Sequence, residues 1–361
     1  MTNRVHNFCA GPCTLPLEVL QEAQSEFVDY HGSGMSLIEM SHRSAEYDAV
    51  HMEAMSNARE VFGVPDDFEV MFLQGGAMLQ FSMVPMNLLK EGEKGAYIGS
   101  GSWASGAFKD AQKYGDTYWA WDGKDENFLR MPNNDEIALQ DNTRYLHVTS
   151  NETIGGIRMI EWPEVDVPLV GDMSSDYMSR PIPWGKFDLV YGGAQKNMGP
   201  AGCSIVFIRK SALEGCNTNM GQYLQYSIQA SKDSLLNTPP VFAIYMIGKV
   251  LKWMKAKGGL AVIQQEAADK SSIIYSTIDD SDGWYNCPVS TAHRSHMNVV
   301  FRLPNEDLEK KFLSESDAAG MKNLKGHRSV GGCRASIYNA MPRQSVEALA
   351  GFMADFKAAN S

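Results

Sequence analysis

FDLVYGGAQKNMGPAGCSIVFIR, residues 187–209, decides the reading of this chain. Two apolar runs, FDLVY and CSIVFIR, flank a glycine-rich turn in which one long cation, Lys196, stands among residues suited to close packing. Each run is short and carries β-branched or aromatic residues, as a strand buried on both faces of a sheet requires. A lysine in a turn is ordinarily just solvated. Here the glycines and Pro200 fix the turn between buried strands, so the amine is expected to be held at the sheet edge and partly desolvated. Desolvation disfavours the ammonium form, and the neutral amine is the form that attacks a carbonyl.

Runs of the same kind recur on the N-terminal side: FEVMFLQ (68–74), GAYIG (95–99), TYWAW (117–121), RYLHVTS (144–150) and VPLVGD (167–172). Helical periodicity predicts helices over 16–30, 44–62, 79–89, 239–257 and 261–279. In the fourth of these Thr238 reads as the N-cap, Pro239 as the first helical residue, and Gly258 and Gly259 as the stop. Alternation of this sort predicts an α/β fold, with a large domain whose mainly parallel sheet is covered by helices. New strand signals in MNVVFRL (297–303) and CRASIY (333–338), followed by a helix over 344–359, predict a smaller C-terminal α/β domain. The expected division is 17–262 and 263–361, with residues 1–16 packing against the smaller part.

The 361 residues carry a formal net charge of -11, from 32 Lys and Arg against 43 Asp and Glu, with no basic tract. That balance argues against nucleic acid or an anionic membrane as a partner, so an anionic ligand would need a local positive pocket. Cys9, Cys13, Cys203, Cys216, Cys287 and Cys333 form no C-x-x-C pair, so neither a metal site nor a disulfide framework is expected. The first residues lack an apolar or Arg/Ser-rich targeting pattern, and no apolar run reaches the roughly 18 residues of a membrane span. A soluble cytoplasmic protein acting on small molecules is the expectation.

In an open α/β sheet ligands sit beyond the carboxyl ends of the strands, and reactive side chains occur there in series. FEVMFLQ runs into Gly75, Gly76 and Ala77 at the start of a helix, where free backbone N–H groups can seat a phosphate; a tight turn would need the same glycines. VPLVGD delivers Asp172, followed by Ser174, Ser175 and Asp176; a lone Asp there is more often a cap or an Asx turn. Lys196 reaches the same edge. A phosphate seat, a carboxylate and a desolvated amine together point to pyridoxal 5'-phosphate, which needs an amine for its aldehyde, an acid for its ring nitrogen and an anion site. Trp103, in GSGSWASG, can offer a face to the ring or serve as core. Two His-Arg pairs, His42 with Arg43 and His327 with Arg328, and Arg334 beyond the second, could form the positive pocket, although solvation is the default for each.

EMSHR (39–43), LQGGA (73–77), SNETIGG (150–156), DMSSD (172–176), YGGAQKNMGPAG (191–202), LNTPP (236–240) and GHRSVGG with RAS (326–336) occur in this order, and the chain resembles the phosphoserine aminotransferases from NFCAGPCTLP to its last helix. These belong to the class V, fold-type I pyridoxal-phosphate enzymes. The resemblance implies reversible transamination between L-phosphoserine and 2-oxoglutarate, giving 3-phosphohydroxypyruvate and L-glutamate in serine biosynthesis. It implies Lys196 as the Schiff-base lysine, Asp172 as partner of the pyridine nitrogen and Trp103 as the stacking aromatic. Gly76, Ala77 and Gln195 would hold the cofactor phosphate, and Thr153 would bond near the ring oxygen. Asn237 and Thr238 would reach the neighbouring subunit's cofactor in a homodimer. His42, Arg43, His327 and Arg328 would bind the distal anion of the substrate, and Arg334 its α-carboxylate. Met78 stands where some members have an arginine, and Cys9 and Cys13 where small residues are usual.

Two other readings stay open on sequence. Another class V enzyme, of the serine-glyoxylate aminotransferase or cysteine desulfurase type, would leave the second His-Arg pair without a purpose or require a catalytic cysteine loop. A non-catalytic phosphate-ligand binding protein would leave Lys196 and Asp172 unexplained.

Overall fold

The computed structural model describes residues 4–361. A seven-stranded sheet forms its centre. In chain order its strands are β1 (Phe68–Gln74), β2 (Lys94–Gly99), β3 (Asp116–Asp122), β4 (Thr143–Thr149), β5 (Leu169–Asp172), β6 (Phe187–Gly193) and β7 (Cys203–Arg209). They lie side by side in the order β1-β7-β6-β5-β4-β2-β3. Only β7 runs antiparallel to its neighbours, β1 and β6, so β1 to β6 all finish on one edge. The turn after β6, which holds Lys196, therefore lies on the same edge as Gln74, Gly99, Thr149 and Asp172.

Both faces of the sheet are buried, as the short apolar runs require. Val70 and Phe72 of β1, with Ile205 and Phe207 of β7, point into one core, while Met71, Leu73, Val206 and Ile208 point into the other. Helix α2 (Ala45–Phe62) and α5 (Val241–Ala256) cover the first face; α3 (Ala77–Leu88) and α4 (Ser102–Ala111) cover the second. Helix α1 (Leu17–Glu26) ends short of the predicted residue 30. Helix α5 begins two residues later than expected, with Pro240 rather than Thr238 at the cap position. The Pro-Pro step accounts for this, because a residue before proline is pushed out of the helical region. Its carboxyl end does stop at Gly258 and Gly259, whose φ values are +104° and +78°.

Beyond α5, helix α6 (Leu260–Asp279) packs against the last helix, α8 (Arg343–Asn360), beside the antiparallel pair β8 (Asn298–Phe301) and β9 (Cys333–Ser336); α7 (Glu306–Ala318) lies between them in sequence. Near the N-terminus the chain joins this region: His6–Asn7 pairs in parallel with Met321–Lys322, and Tyr338 Oη donates to the Ala10 carbonyl at 2.7 Å. The same segment leans on the Lys196 turn, with the Cys13 N–H donating to the Gln195 carbonyl at 3.1 Å. Among the described residues, no helix is long and apolar enough to cross a membrane.

Candidate active site

Lys196 is buried, and its Nζ donates to Thr153 Oγ1 at 2.6 Å. Burial brings its amine down to about 8, working against the carboxylates of Asp172 and Glu152, which favour the cation. Nζ lies 5.5 Å from the centre of the Trp103 ring. Asp172 closes β5; its Oδ1 accepts from the Ser174 N–H at 2.9 Å and the Ser174 hydroxyl at 2.6 Å. Burial raises the Asp172 carboxyl, while Ser174 and Lys196 pull it back. The Ser174 hydroxyl also accepts the Gly193 N–H at 3.1 Å, so one side chain ties the carboxylate to the last residue before the lysine turn. Arg334, at the start of β9, donates to the Thr153 carbonyl at 3.1 Å. Residue 153 thus meets Lys196 through its side chain and Arg334 through its backbone.

Gly75, Gly76 and Ala77 lie where β1 runs into α3. Gly75 has φ +95°, and Gly76 occupies the cap position of α3 with no side chain over the first turn's N–H groups. The Gly75 N–H donates to the Gly202 carbonyl at 3.0 Å, which ties this turn to the end of the Lys196 turn. Met78 points outward, 62% exposed. Gln195 lies beside Lys196 with its Oε1 buried and without a partner, and the Trp103 indole N–H is likewise buried and unpartnered. An aromatic wall beside a buried amine, a buried carboxylate, an uncapped helix N-terminus and an orphaned indole N–H suit pyridoxal 5'-phosphate.

The other sequence-predicted residues are placed more loosely. A cavity of about 340 Å³ separates Gly101, Ile154 and Gly155 from Val330, Gly331 and Cys333, which sets the loop of His327 and Arg328 across from the Thr153 segment. His327 Nδ1 is bonded to Ser329 Oγ at 2.7 Å and Arg328 is exposed. No bond joins His42 or Arg43 to the lysine group; His42 Nε2 is buried and unpartnered, and Arg43 is exposed. Asn237 and Thr238 are exposed, with the Thr238 carbonyl accepting from Gln74 Nε2 at 2.6 Å, next to Gly75.

Sequence reasoning missed Glu152. It is 1% exposed and its carboxylate accepts the Trp103 and Ala104 N–H groups at 3.1 and 2.8 Å. The clue was available, since a carboxylate just past a strand end is the same signal that singled out Asp172.

Comparison with known proteins adds an independent line. The class V aminotransferase family profile matches residues 5–349. The phosphoserine aminotransferase of Niallia circulans is 51% identical over 358 residues, 99% of each chain. A solved phosphoserine aminotransferase from Bacillus circulans subsp. alkalophilus has a TM-score of 0.98 at 50% identity, covering 100% of both chains. A pyridoxal-phosphate-bound phosphoserine aminotransferase from Trichomonas vaginalis has a TM-score of 0.92 at 36% identity, covering 97% of this chain and 100% of that one.

Proposed function

The chain belongs to the class V aminotransferase family, and from that premise we propose how its own residues carry the reaction. The activity is pyridoxal-phosphate-dependent transamination of L-phosphoserine with 2-oxoglutarate, reversible, in serine biosynthesis. When bound, the cofactor supplies an aldehyde for the amino group and an electron sink for the bond broken at the substrate Cα.

Lys196 is the reactive amine and the base that lifts the proton from the substrate Cα. The observation that carries this role is its burial beside Trp103 and Thr153, with an amine brought down to about 8, so a sizeable neutral fraction exists near neutral pH. Thr153 accepts one of its N–H bonds and so orients the lone pair. Asp172 would hold the proton on the cofactor's ring nitrogen; Ser174 favours its ionised form against burial and fixes its direction. Trp103 would form the wall for the ring. Gly76, Ala77 and Gln195 would hold the phosphate, joined by Asn237 and Thr238 of a second copy in a homodimer. That placement is supported by the exposure of both residues beside Gln74.

Arg334 takes the substrate's α-carboxylate, which its bond to the Thr153 carbonyl aims toward Lys196. His42, Arg43, His327 and Arg328 take the distal anion, phosphate in one half-reaction and carboxylate in the other. Residues 17–262 act as the cofactor-bearing unit and 263–361 as the unit that brings Arg334, with α6 crossing the seam. We place the enzyme in the cytoplasm, consistent with six cysteines that are all free.

The test is a visible spectrum of the holoenzyme before and after L-phosphoserine, with L-serine as control. Conversion by phosphoserine alone supports both the amine and the distal-anion assignment. Conversion by both amino acids or by neither refutes the distal-anion site.

A further inference from the structure

Glu152 closes the short strand Asn151–Glu152, one residue before Thr153, and is almost wholly buried. Its Oε2 accepts the Trp103 N–H at 3.1 Å and its Oε1 the Ala104 N–H at 2.8 Å, so one carboxylate caps the first turn of α4 and fixes the backbone that carries the indole. Gly101 makes room for it; a methyl group built there would lie 2.7 Å from Glu152 Cδ.

A neutral side chain could cap the same turn without the cost of burying a charge, which is several kcal/mol per unpaired ion. Burial pushes the Glu152 carboxyl up to about 7; Asp172 pushes the same way, while the two N–H groups and Lys196 oppose it. The titratable groups that act on it are Lys196 and Asp172; Arg334 acts in turn on Lys196, and Asp176 on both Lys196 and Asp172. Thr153, the next residue, accepts from Lys196 Nζ at 2.6 Å, and Glu152 is the second anion acting on that amine after Asp172. A carboxylate kept in this place is bonded to the Trp103 backbone and bears on the charge of Lys196.

We propose that Glu152 is a positioning residue for the transamination: it seats the Trp103 indole against the cofactor and supplies the second negative charge against which the Lys196 nitrogen gains and loses its proton. This inference rests on Lys196 being the reactive amine. The two tasks separate by substitution. Glu152→Gln keeps the shape, removes the charge and turns an amide donor toward one of the two N–H groups. Glu152→Asp keeps the charge but is one methylene too short to meet both.

The experiment follows the visible band of each holoenzyme against pH and measures cofactor retention on dialysis. An opposite charge within ~4–6 Å moves an ionisable group by about 1–3 pH units. In Glu152→Gln the midpoint should therefore fall by about one pH unit, because the cationic nitrogen loses an anion, and the cofactor should dissociate about tenfold more readily. Glu152→Asp should loosen the cofactor similarly and leave the midpoint in place. An unchanged midpoint in Glu152→Gln, or equal midpoint shifts in both variants, would mark a simple helix cap and overturn the proposal. Should Glu152→Gln fail to fold, unaltered retention in Glu152→Asp overturns it and a tenfold loss with the midpoint kept supports it. Lys196→Ala separates the two levels: if it keeps the visible band, the amine assignment fails. If it loses the band while Glu152→Gln matches the parent enzyme, only the Glu152 inference fails.

Discussion

Ser174→Ala tests the architecture around Asp172 without touching a reacting group. The hydroxyl makes two bonds, donating to Asp172 Oδ1 at 2.6 Å and accepting the Gly193 N–H at 3.1 Å. A hydrogen bond to a charged acceptor contributes about 1.5–3 kcal/mol, and a buried N–H left short of a partner costs about 1–3 kcal/mol. The folded state should lose roughly 3 kcal/mol, seen as a melting temperature lower by about 5 °C. The share that falls on Asp172 also bears on catalysis. With one anchor gone, burial raises its carboxyl further, so less of it is ionised and its direction is less fixed. At about 1.4 kcal/mol per factor of ten, kcat/KM for phosphoserine should drop roughly 10- to 100-fold, and the acid limb of its pH profile should move to higher pH. The assay is the coupled formation of glutamate from phosphoserine, repeated in an Asp172→Asn background. If Ser174 acts through Asp172, its removal adds less than about threefold there, since residues of one unit are not additive. A loss undiminished in that background, or a single variant within about twofold of the parent, would show that the bond between them does no catalytic service.

Arg334→Ala should lower kcat/KM by about 100-fold or more in both half-reactions, because each substrate presents an α-carboxylate; stopped-flow spectra of the two halves check this, and a loss confined to phosphoserine would reassign the residue. Gly326→Ala should disturb the His327 loop selectively, since the added methyl would lie 2.0 Å from the Gly331 carbonyl oxygen. A displacement of about 1 Å can cost ~100-fold, so kcat/KM should fall steeply while the cofactor's spectrum is unchanged. Lys270 is buried and donates to the carbonyls of Tyr338 and Met341 at 2.7 and 3.1 Å, and burial brings it from 10.5 down to about 7. Between those values the unfolded chain binds more protons than the folded one, so stability should rise with pH across that window, by at most about 5 kcal/mol. Lys270→Met should flatten the rise, read from denaturant midpoints at about pH 7 and pH 9.5; an equal rise in both proteins would refute the assignment.

Much of the fold was legible because the central strands obey a local rule. A run such as FEVMFLQ or CSIVFIR, buried on both faces, has to be short, apolar and bounded by turns, and β1 and β7 have the predicted limits. Ends set by tertiary contact were not legible in the same way. Helix α4 has no cap in its own sequence; its first N–H groups are met by Glu152, about fifty residues further along the chain, so no helix was expected over GSGSWASG. Helix α7 buries only Phe312 and Ser316, too thin a stripe to stand out among its charges. At the site, Lys196, Asp172, Thr153, Trp103 and Arg334 stand together as the motifs suggested. The bonds of Glu152 to α4 and the second bond of Ser174 emerged only once segments distant in sequence were brought side by side. The two His-Arg pairs show the limit from the other side, for motif and resemblance named them while their bonds within one chain do not tie them to the lysine.

The pairing of His6–Asn7 with Met321–Lys322, and of Tyr338 with Ala10, has a consequence in time. The segment that leans on the Lys196 turn leaves the ribosome long before its partners, with Ala10 328 residues ahead of Tyr338. Domains generally fold as they emerge, N-terminal parts first, and a contact spanning most of a chain carries a high loop-closure cost. The sheet can form on the nascent chain while the His6–Asn7 segment still lacks its strand partner. A chain halted before Met321 therefore presents Lys196 without Arg334 and without the His6–Asn7 pairing.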